Sequence, residues 1–183
     1  MRARRSCLSV PGSSLRMLAK ASGLPADEVV IDLEDAVAAP AKDNARAAVV
    51  SALAAGTLDG RTVAARVNGL DTPWCYRDIV ALADGPAAGA VTSLVIPKVQ
   101  APEDVAWVAR LLDAVGAGAR AIRLQALIET AAGLRRAGDI GQAGPRLEAL
   151  ILGYADLRAS LGRPADDQEP PDRWRFAQEA VLV

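Results

Sequence analysis

Two acidic residues in this sequence each follow a short apolar run with the composition of a buried strand. Glu129 ends the segment ALIE, and Asp156 comes just after ILGY. In a parallel sheet covered by helices, the carboxyl ends of the strands form the functional rim, so carboxylates that leave successive strands can converge on one hard cation. The pattern therefore predicts a Mg²⁺ site at Glu129 and Asp156, which Mn²⁺ could also occupy.

A second acidic group lies in the segment VVIDLEDAVA, which carries Asp32, Glu34 and Asp35 around a strand end. Carboxylates this close repel each other unless some face water and others meet a cation or a base. The alternation of a strand directs Asp32 and Glu34 to one side, whereas Asp35 leaves with the turn. The cluster is expected either to take part in catalysis or simply to cap and solvate the next helix.

Basic residues follow two further strand-like runs. Arg66 in AARVNG could grip a carboxylate through two hydrogen bonds and stabilise negative charge, or it could form a structural ion pair. Lys98 in VIPKV has the equivalent position on the next strand. It could act as a Schiff-base or charge-stabilising lysine, but a salt bridge to the acidic cluster is the favoured interpretation.

Arg16 and Lys20 are spaced to share one face of a helix that follows the turn at Pro11 and Gly12. Two cations near a helix start can hold a phosphate or diphosphate. The alternative is an ordinary solvated basic face.

The composition excludes several classes of protein. The chain has no histidine, so serine-histidine triads, histidine metal ligands and imidazole bases are ruled out. A net charge of -1 without long charged runs predicts no nucleic-acid or membrane partner, although a small phosphate-bearing molecule is compatible with it. Cys7 and Cys75 lie outside any CxxC spacing and are expected to be structural thiols of a cytoplasmic protein.

Strand-like and helix-like segments alternate along the whole chain, which predicts an α/β fold with a parallel sheet. The expected strands are 8–11, 29–33, 63–67, 94–97, 124–128 and 149–152, and the expected helices are 13–23, 41–55, 74–83, 102–115, 131–142 and 172–183. The Pro-rich stretch 163–173 is interpreted as a rim loop after the sixth strand. Residues 1–183 are thus expected to form a single domain.

Six βα units match a TIM-type (β/α)8 barrel that lacks its last units, or else an open six-stranded sheet. The incomplete barrel is the favoured interpretation. Unpaired edge strands would promote association or aggregation, so little activity is expected from these 183 residues alone. A version extended by about 60 to 100 residues, the length of two or three further βα units, is expected to be active.

Six blocks of sequence together resemble the citrate lyase beta-subunit-like family of the HpcH/HpaI aldolase superfamily. In chain order they are RSCLSVPG with LRMLAKA, VVIDLEDAVA, RVNGLDTPW, VIPKV, ALIETAAGL and LGYADLRASLG. The resemblance implies a Mg²⁺-dependent TIM-barrel carbon-carbon lyase. It also implies a role for each candidate residue: Glu129 and Asp156 as metal ligands, Arg66 on the substrate carboxylate, Arg16 and Lys20 on coenzyme A phosphates, and Glu34 and Asp35 in the active-site acidic motif.

The expected substrate is a short 3-hydroxy-acyl-CoA with a carboxylate beside the hydroxyl, such as citryl-, malyl- or citramalyl-CoA. Cleavage would give a 2-oxo acid and an acyl-CoA. The absence of histidine favours this thioester branch over the free-acid aldolases of the superfamily. The resemblance further implies a trimer or hexamer. The alternative is a non-catalytic paralogue or subunit that retains metal or CoA binding.

Overall fold

Six parallel strands form the centre of the fold in the computed structural model, which describes residues 4–164 and 171–182. Each strand pairs with the next one along the chain, so the order across the sheet is β1 to β6. The strands are β1 Cys7–Pro11, β2 Glu28–Asp32, β3 Val63–Arg66, β4 Ser93–Ile96, β5 Arg123–Ile128 and β6 Leu147–Leu152. Within the described residues β1 and β6 are the two edges of the sheet, which is therefore unclosed.

Helices follow the strands as the sequence predicts. They are α1 Leu15–Ala21, α2 Lys42–Ala54, α3 Cys75–Ala83, α4 Pro102–Val115, α5 Ala131–Arg135, α6 Ala137–Gly141, α7 Tyr154–Ser160 and α8 Arg175–Val181. Short 3-10 segments occur at Ala39–Ala41, Gly85–Ala87, Ala117–Ala121 and Pro171–Trp174. In the part of the chain that the structure covers, no helix combines the length and hydropathy needed to cross a bilayer.

The sheet separates two apolar cores of very different size. The larger core fills the space between the outer sheet face and the helices. On the inner face Ala64, Val95 and Leu127 form a small cluster with Val30 and Ile151. Next to this cluster is a cavity of about 470 Å³ that residues from all six strands line, so the sheet curves around an interior. The fold is therefore α/β and TIM-type, with six strands of an unclosed barrel, as the sequence predicts.

A polar layer lies inside the sheet near the amino ends of the strands, and the sequence pattern gave no sign of it. Arg4 Nε lies 3.0 Å from Glu28 Oε1, and the same guanidinium contacts Glu148. Gln125 Nε2 donates to Glu28 at 3.1 Å, and Ser93 Oγ donates to Glu148 at 2.5 Å. These bonds satisfy the buried carboxylate of Glu28 and the partly buried carboxylate of Glu148.

Two helix predictions need correction. The single helix expected over 131–142 is two short helices, because Arg136 leaves the helical conformation between them. The helix α7 after β6 was not predicted; only a loop was expected before the last helix. The predicted last helix is present as α8, which packs on β6 and α6. Of the predicted rim loop, residues 165–170 lie outside the described residues.

Candidate functional site

The carboxyl ends of β2 to β6 bring together the charged residues that the sequence pattern singles out there. Arg66 is the last residue of β3, Glu129 follows β5 directly, and Asp156 lies in the first turn of α7. Glu34 lies two residues beyond β2, and Lys98 lies two residues beyond β4. Because parallel strands end at one rim, residues far apart in the chain form a single cluster.

Arg66 forms a two-point ion pair with Asp32, its register partner on the neighbouring strand. Arg66 Nε and Nη2 donate to the two Asp32 carboxylate oxygens at 2.9 and 2.6 Å. Asp32 also accepts hydrogen bonds from the backbone N–H groups of Glu34 and Ala36. Burial disfavours the charged form of Asp32 and by itself would raise its pKa. The hydrogen bonds and the positive charge of Arg66 outweigh this effect and hold the pKa of Asp32 below its usual value. The structural ion pair considered for Arg66 is thus present, and its Nη1 points to other groups.

Glu34 lies between two basic side chains. Lys98 Nζ lies 2.5 Å from Glu34 Oε1, so the salt bridge favoured for Lys98 is present. Arg66 Nη1 is 3.0 Å from Glu34 Oε2 but is not aligned for a hydrogen bond, which leaves Oε2 buried without one. Burial raises the pKa of Glu34 in spite of both cations. Asp35 is exposed and lies 3.7 Å from Arg66 and 4.0 Å from Lys98.

Glu129 is buried, and the loops around it define where its carboxylate lies. The backbone N–H of Lys98 donates to Glu129 Oε1 at 2.9 Å. A Cβ atom at Gly153 would lie only 2.7 Å from Glu129 Oε2, so the glycine leaves room for the carboxylate. Burial, followed by the charges of Glu34 and Asp156, raises the pKa of Glu129 to about 7, although the Lys98 N–H opposes this shift.

The donor chemistry of this rim fits a divalent cation. Glu129 and Asp156 are oxygen donors, and they are close enough for the Asp156 charge to raise the pKa of Glu129. Within residues 4–164 and 171–182 no three acidic, cysteine or histidine side chains form a complete ligand set. Mg²⁺ suits such a site, because it is commonly held by one or two carboxylates with water or substrate as the other ligands.

Arg16 and Lys20 do not join the carboxylate cluster. Both are exposed on α1, the helix after β1, and neither has an ion-pair partner in the described part of the chain. Leu15 and Met17 on the same helix are also exposed. The helix therefore presents a basic and apolar surface to solvent.

Buried polar residues outside the candidate set support the loops of the rim. Lys42 Nζ donates to the backbone carbonyl groups of Leu33 and Glu34 at 2.8 and 2.6 Å. Asp78 accepts hydrogen bonds from the backbone and side chain of Asn68, in the turn after β3. The signals in the sequence were a lysine after the acidic segment and an aspartate in the first turn of α3.

Comparison with known proteins finds matches over nearly the whole chain. The model of the HpcH/HpaI aldolase/citrate lyase family matches residues 5–183. An L-malyl-CoA/beta-methylmalyl-CoA lyase from Rhodobacter capsulatus is 37% identical over 200 residues, which cover 100% of this chain and 63% of the relative. A (3S)-malyl-CoA thioesterase from Cereibacter sphaeroides is 40% identical over 178 residues, covering 97% of this chain and 56% of the thioesterase.

A solved structure has the same architecture. It is the citrate lyase beta subunit from M. tuberculosis in complex with oxaloacetate and magnesium. It is 29% identical with a TM-score of 0.77, and the match covers 99% of this chain and 74% of that one. This chain spans less than two thirds of the length of the two curated relatives.

Proposed function

This chain belongs to the HpcH/HpaI aldolase/citrate lyase family, and we propose that it carries the catalytic rim of a Mg²⁺-dependent lyase for malyl-CoA-type thioesters. The products would be a 2-oxo acid and an acyl-CoA. The observation that carries this proposal is the carboxylate cluster with Arg66 and Lys98 at the strand ends. It occurs in a chain whose named relatives act on malyl-CoA.

Glu129 and Asp156 are the residues that would hold Mg²⁺ or Mn²⁺. When bound, the ion supplies positive charge that lowers the pKa of the substrate hydroxyl. The magnesium and oxaloacetate in the M. tuberculosis structure support this assignment. So does the burial of Glu129, because a nearby cation would stabilise the charged form of this buried carboxylate.

The cleavage requires one proton to leave the substrate hydroxyl while the carbon-carbon bond beside it breaks. The electron pair of that bond moves to the carbon next to the thioester carbonyl, which then takes up a proton. Glu34 suits proton acceptance, because it is buried and its pKa is raised. Asp35 is more exposed and would assist at the mouth of the site.

Arg66 would hold the substrate carboxylate through Nη1. Its Nε and Nη2 atoms are already bound to Asp32, which fixes the plane of the guanidinium. A fixed guanidinium loses little conformational freedom when a second carboxylate binds. Arg16 and Lys20, exposed on α1, would contact the phosphates of CoA.

A second candidate function is thioester hydrolysis, which the 40% identity to a (3S)-malyl-CoA thioesterase favours. Here water breaks the carbon-sulfur bond and releases malate and CoA. The carbon-carbon bond stays intact. A non-catalytic subunit that keeps the substrate site is the third alternative.

Product analysis separates these functions. The purified chain, and in parallel a version extended by about 60 to 100 residues, would be incubated with malyl-CoA and Mg²⁺. Glyoxylate with acetyl-CoA identifies the lyase, whereas malate with free CoA thiol identifies the thioesterase. Calorimetric binding without either product would assign a binding subunit. The same assays on the Glu129→Ala/Asp156→Ala variant provide the control. Turnover unaffected in that variant would refute the metal assignment.

A further inference from the structure

Lys98 has an unusual backbone conformation. Its φ of 53° is the only positive φ at a non-glycine residue in the described part of the chain. Lysine is not among the residues that adopt this left-handed region readily. Such conformations persist where the surrounding structure fixes them, and they concentrate at functional sites.

The turn at Lys98 directs one residue toward three neighbouring loops. The backbone N–H contacts Glu129, beyond β5, and the side chain contacts Glu34, beyond β2. Lys98 Nζ also lies 3.6 Å from Asp156. Directly after the turn, the N–H of Val99 bonds to the carbonyl oxygen of Leu127 on β5 at 3.3 Å. The left-handed turn thus presents both groups of Lys98 to the rim and still returns the chain to the sheet.

Lys98 makes contacts of two kinds, through its backbone N–H and through its ammonium group, and each kind suggests a separate role. The N–H contact involves Glu129, whose position is also limited by Gly153 on another loop. The ammonium contacts involve the acidic segment and Asp156. A substitution that removes the ammonium leaves the N–H in place only if the new residue accepts the left-handed conformation. The two roles can therefore be tested separately.

We infer that Lys98 is a positioning residue whose left-handed backbone, rather than its charge, orients Glu129 as a cation ligand. The inference rests on the proposed function, because it takes the divalent cation as the ligand of Glu129. The ammonium has the separate task of holding Glu34. Lys98 itself touches no reacting atom in this assignment.

A set of variants at this one position tests the inference. Lys98→Gly, Lys98→Asn, Lys98→Ala and Lys98→Val all remove the ammonium, but glycine and asparagine accept a positive φ and valine resists it. Mn²⁺ affinity measured by electron paramagnetic resonance should be about tenfold or more higher for the first two than for Lys98→Val. Equal affinities in all four would overturn the inference. If Lys98→Val does not fold, the glycine and alanine variants, which differ by one methyl group, decide.

A matched control tests whether backbone strain elsewhere in the fold also lowers Mn²⁺ affinity. Gly85 also has a positive φ, 68°, but open space surrounds it, at the start of a 3-10 segment that follows α3. Gly85→Val should strain the backbone to a similar extent and leave Mn²⁺ affinity unchanged. A loss of affinity equal to that of Lys98→Val would overturn the inference, because the effect would then reflect general destabilisation.

Amide hydrogen exchange gives a readout that needs no metal. In Glu129→Ala the Lys98 amide loses its acceptor and should exchange about tenfold faster, which corresponds to one lost hydrogen bond. Unchanged exchange would overturn the contact and the inference with it. If the wild-type chain binds no Mn²⁺ at all, the proposed function fails, and the exchange result alone then decides whether Lys98 orients Glu129.

Discussion

Burial raises the pKa of Glu129 to about 7, so this side chain titrates in the neutral range while its unfolded counterpart titrates as an ordinary glutamate. The folded state therefore binds its proton more tightly than the unfolded state does. The resulting stabilisation is complete below the unfolded pKa and is lost as the pH rises through about 7. In a Mg²⁺ complex the cation would replace the proton as the group that neutralises this carboxylate.

The first prediction concerns Glu129→Gln in the presence of EDTA. The amide keeps an acceptor for the Lys98 N–H but carries no charge. Relative to this variant, the wild-type free energy of unfolding should fall by roughly 1–3 kcal/mol between about pH 5 and pH 8. Urea unfolding at several pH values measures the difference. A difference that stays constant with pH would contradict the raised pKa.

The second prediction tests Glu34 as the proton acceptor. Glu34→Gln keeps the shape of the side chain and an acceptor for Lys98 but cannot take up a proton. In the lyase assay on the extended version, kcat should fall by about 10²-fold or more, and the melting temperature should change little. The control is Asp35→Asn, an exposed neighbour that should lose much less activity. Equal losses of kcat in both variants would contradict the assignment of Glu34 as the proton acceptor.

At the scale of elements, the connection between β6 and α7 determines how closely the sixth unit approaches Glu129. Gly153 lies at this connection with a φ of -96°, a conformation open to any residue. Its requirement for glycine is therefore one of space. A Cβ atom there would lie 2.7 Å from Glu129 Oε2 and 2.8 Å from Glu129 Cβ.

The third prediction follows from this close approach. Gly153→Ala should displace the Glu129 carboxylate and weaken Mn²⁺ binding by about tenfold or more, as changes next to metal ligands commonly do. The matched control is Gly138→Ala in α6, where the added methyl group would meet no atom within 4 Å apart from the backbone of its own helix. The control should bind Mn²⁺ like the wild type. Normal binding by Gly153→Ala would show that Glu129 has room to adjust.

The elements differ in how well the sequence predicts them. All six strands are predicted within about two residues of their observed bounds, because parallel strands buried on both faces form short, nearly continuous apolar runs. The helices on the outside were less predictable. Arg136 interrupts a helical pattern without any proline, and only one residue separates α7 from the end of β6, where the sequence predicted a loop.

The sequence predicted which residues lie at the site, but not which of their side chains bind each other. Strand-end logic alone located Glu129, Asp156, Arg66 and Lys98 at one rim. It could not show that Asp32 binds two donors of Arg66, because that pairing depends on the register of β2 and β3. The left-handed conformation of Lys98 could not be predicted from the sequence either, because lysine does not favour a positive φ.

At the scale of the whole molecule, three layers line the interior of the curved sheet. The polar layer of Arg4, Glu28 and Glu148 lies near the amino ends, and the rim of Glu34, Arg66, Lys98 and Glu129 lies at the carboxyl ends. Between them is the small apolar cluster that includes Val95 and Leu127. The two charged layers are thereby separated, and the polar layer can be altered without touching the rim.

Arg4 is the side chain that connects distant parts of this interior. Its guanidinium reaches Glu28 on β2 and Glu148 on β6, so it links one side of the unclosed sheet to the edge strand of the other. Glu28 is almost completely buried, with 1% of its surface exposed. Removing Arg4 would leave a buried carboxylate without its cation, which is far more destabilising than losing an exposed pair.

The last prediction compares two neighbouring arginines. Arg4→Met should lower the free energy of unfolding by about 3–5 kcal/mol, and adding Glu28→Gln should restore part of it, because the unpaired charge is then gone. Arg5→Met breaks an ion pair of the exposed Arg5 with Asp27 and should leave the free energy of unfolding almost unchanged. Urea unfolding of the wild type and these three variants measures both effects. Similar small losses for Arg4→Met and Arg5→Met would mean that the polar layer does not hold β6 to β2. The edge strands would then depend on backbone pairing and the outer core alone.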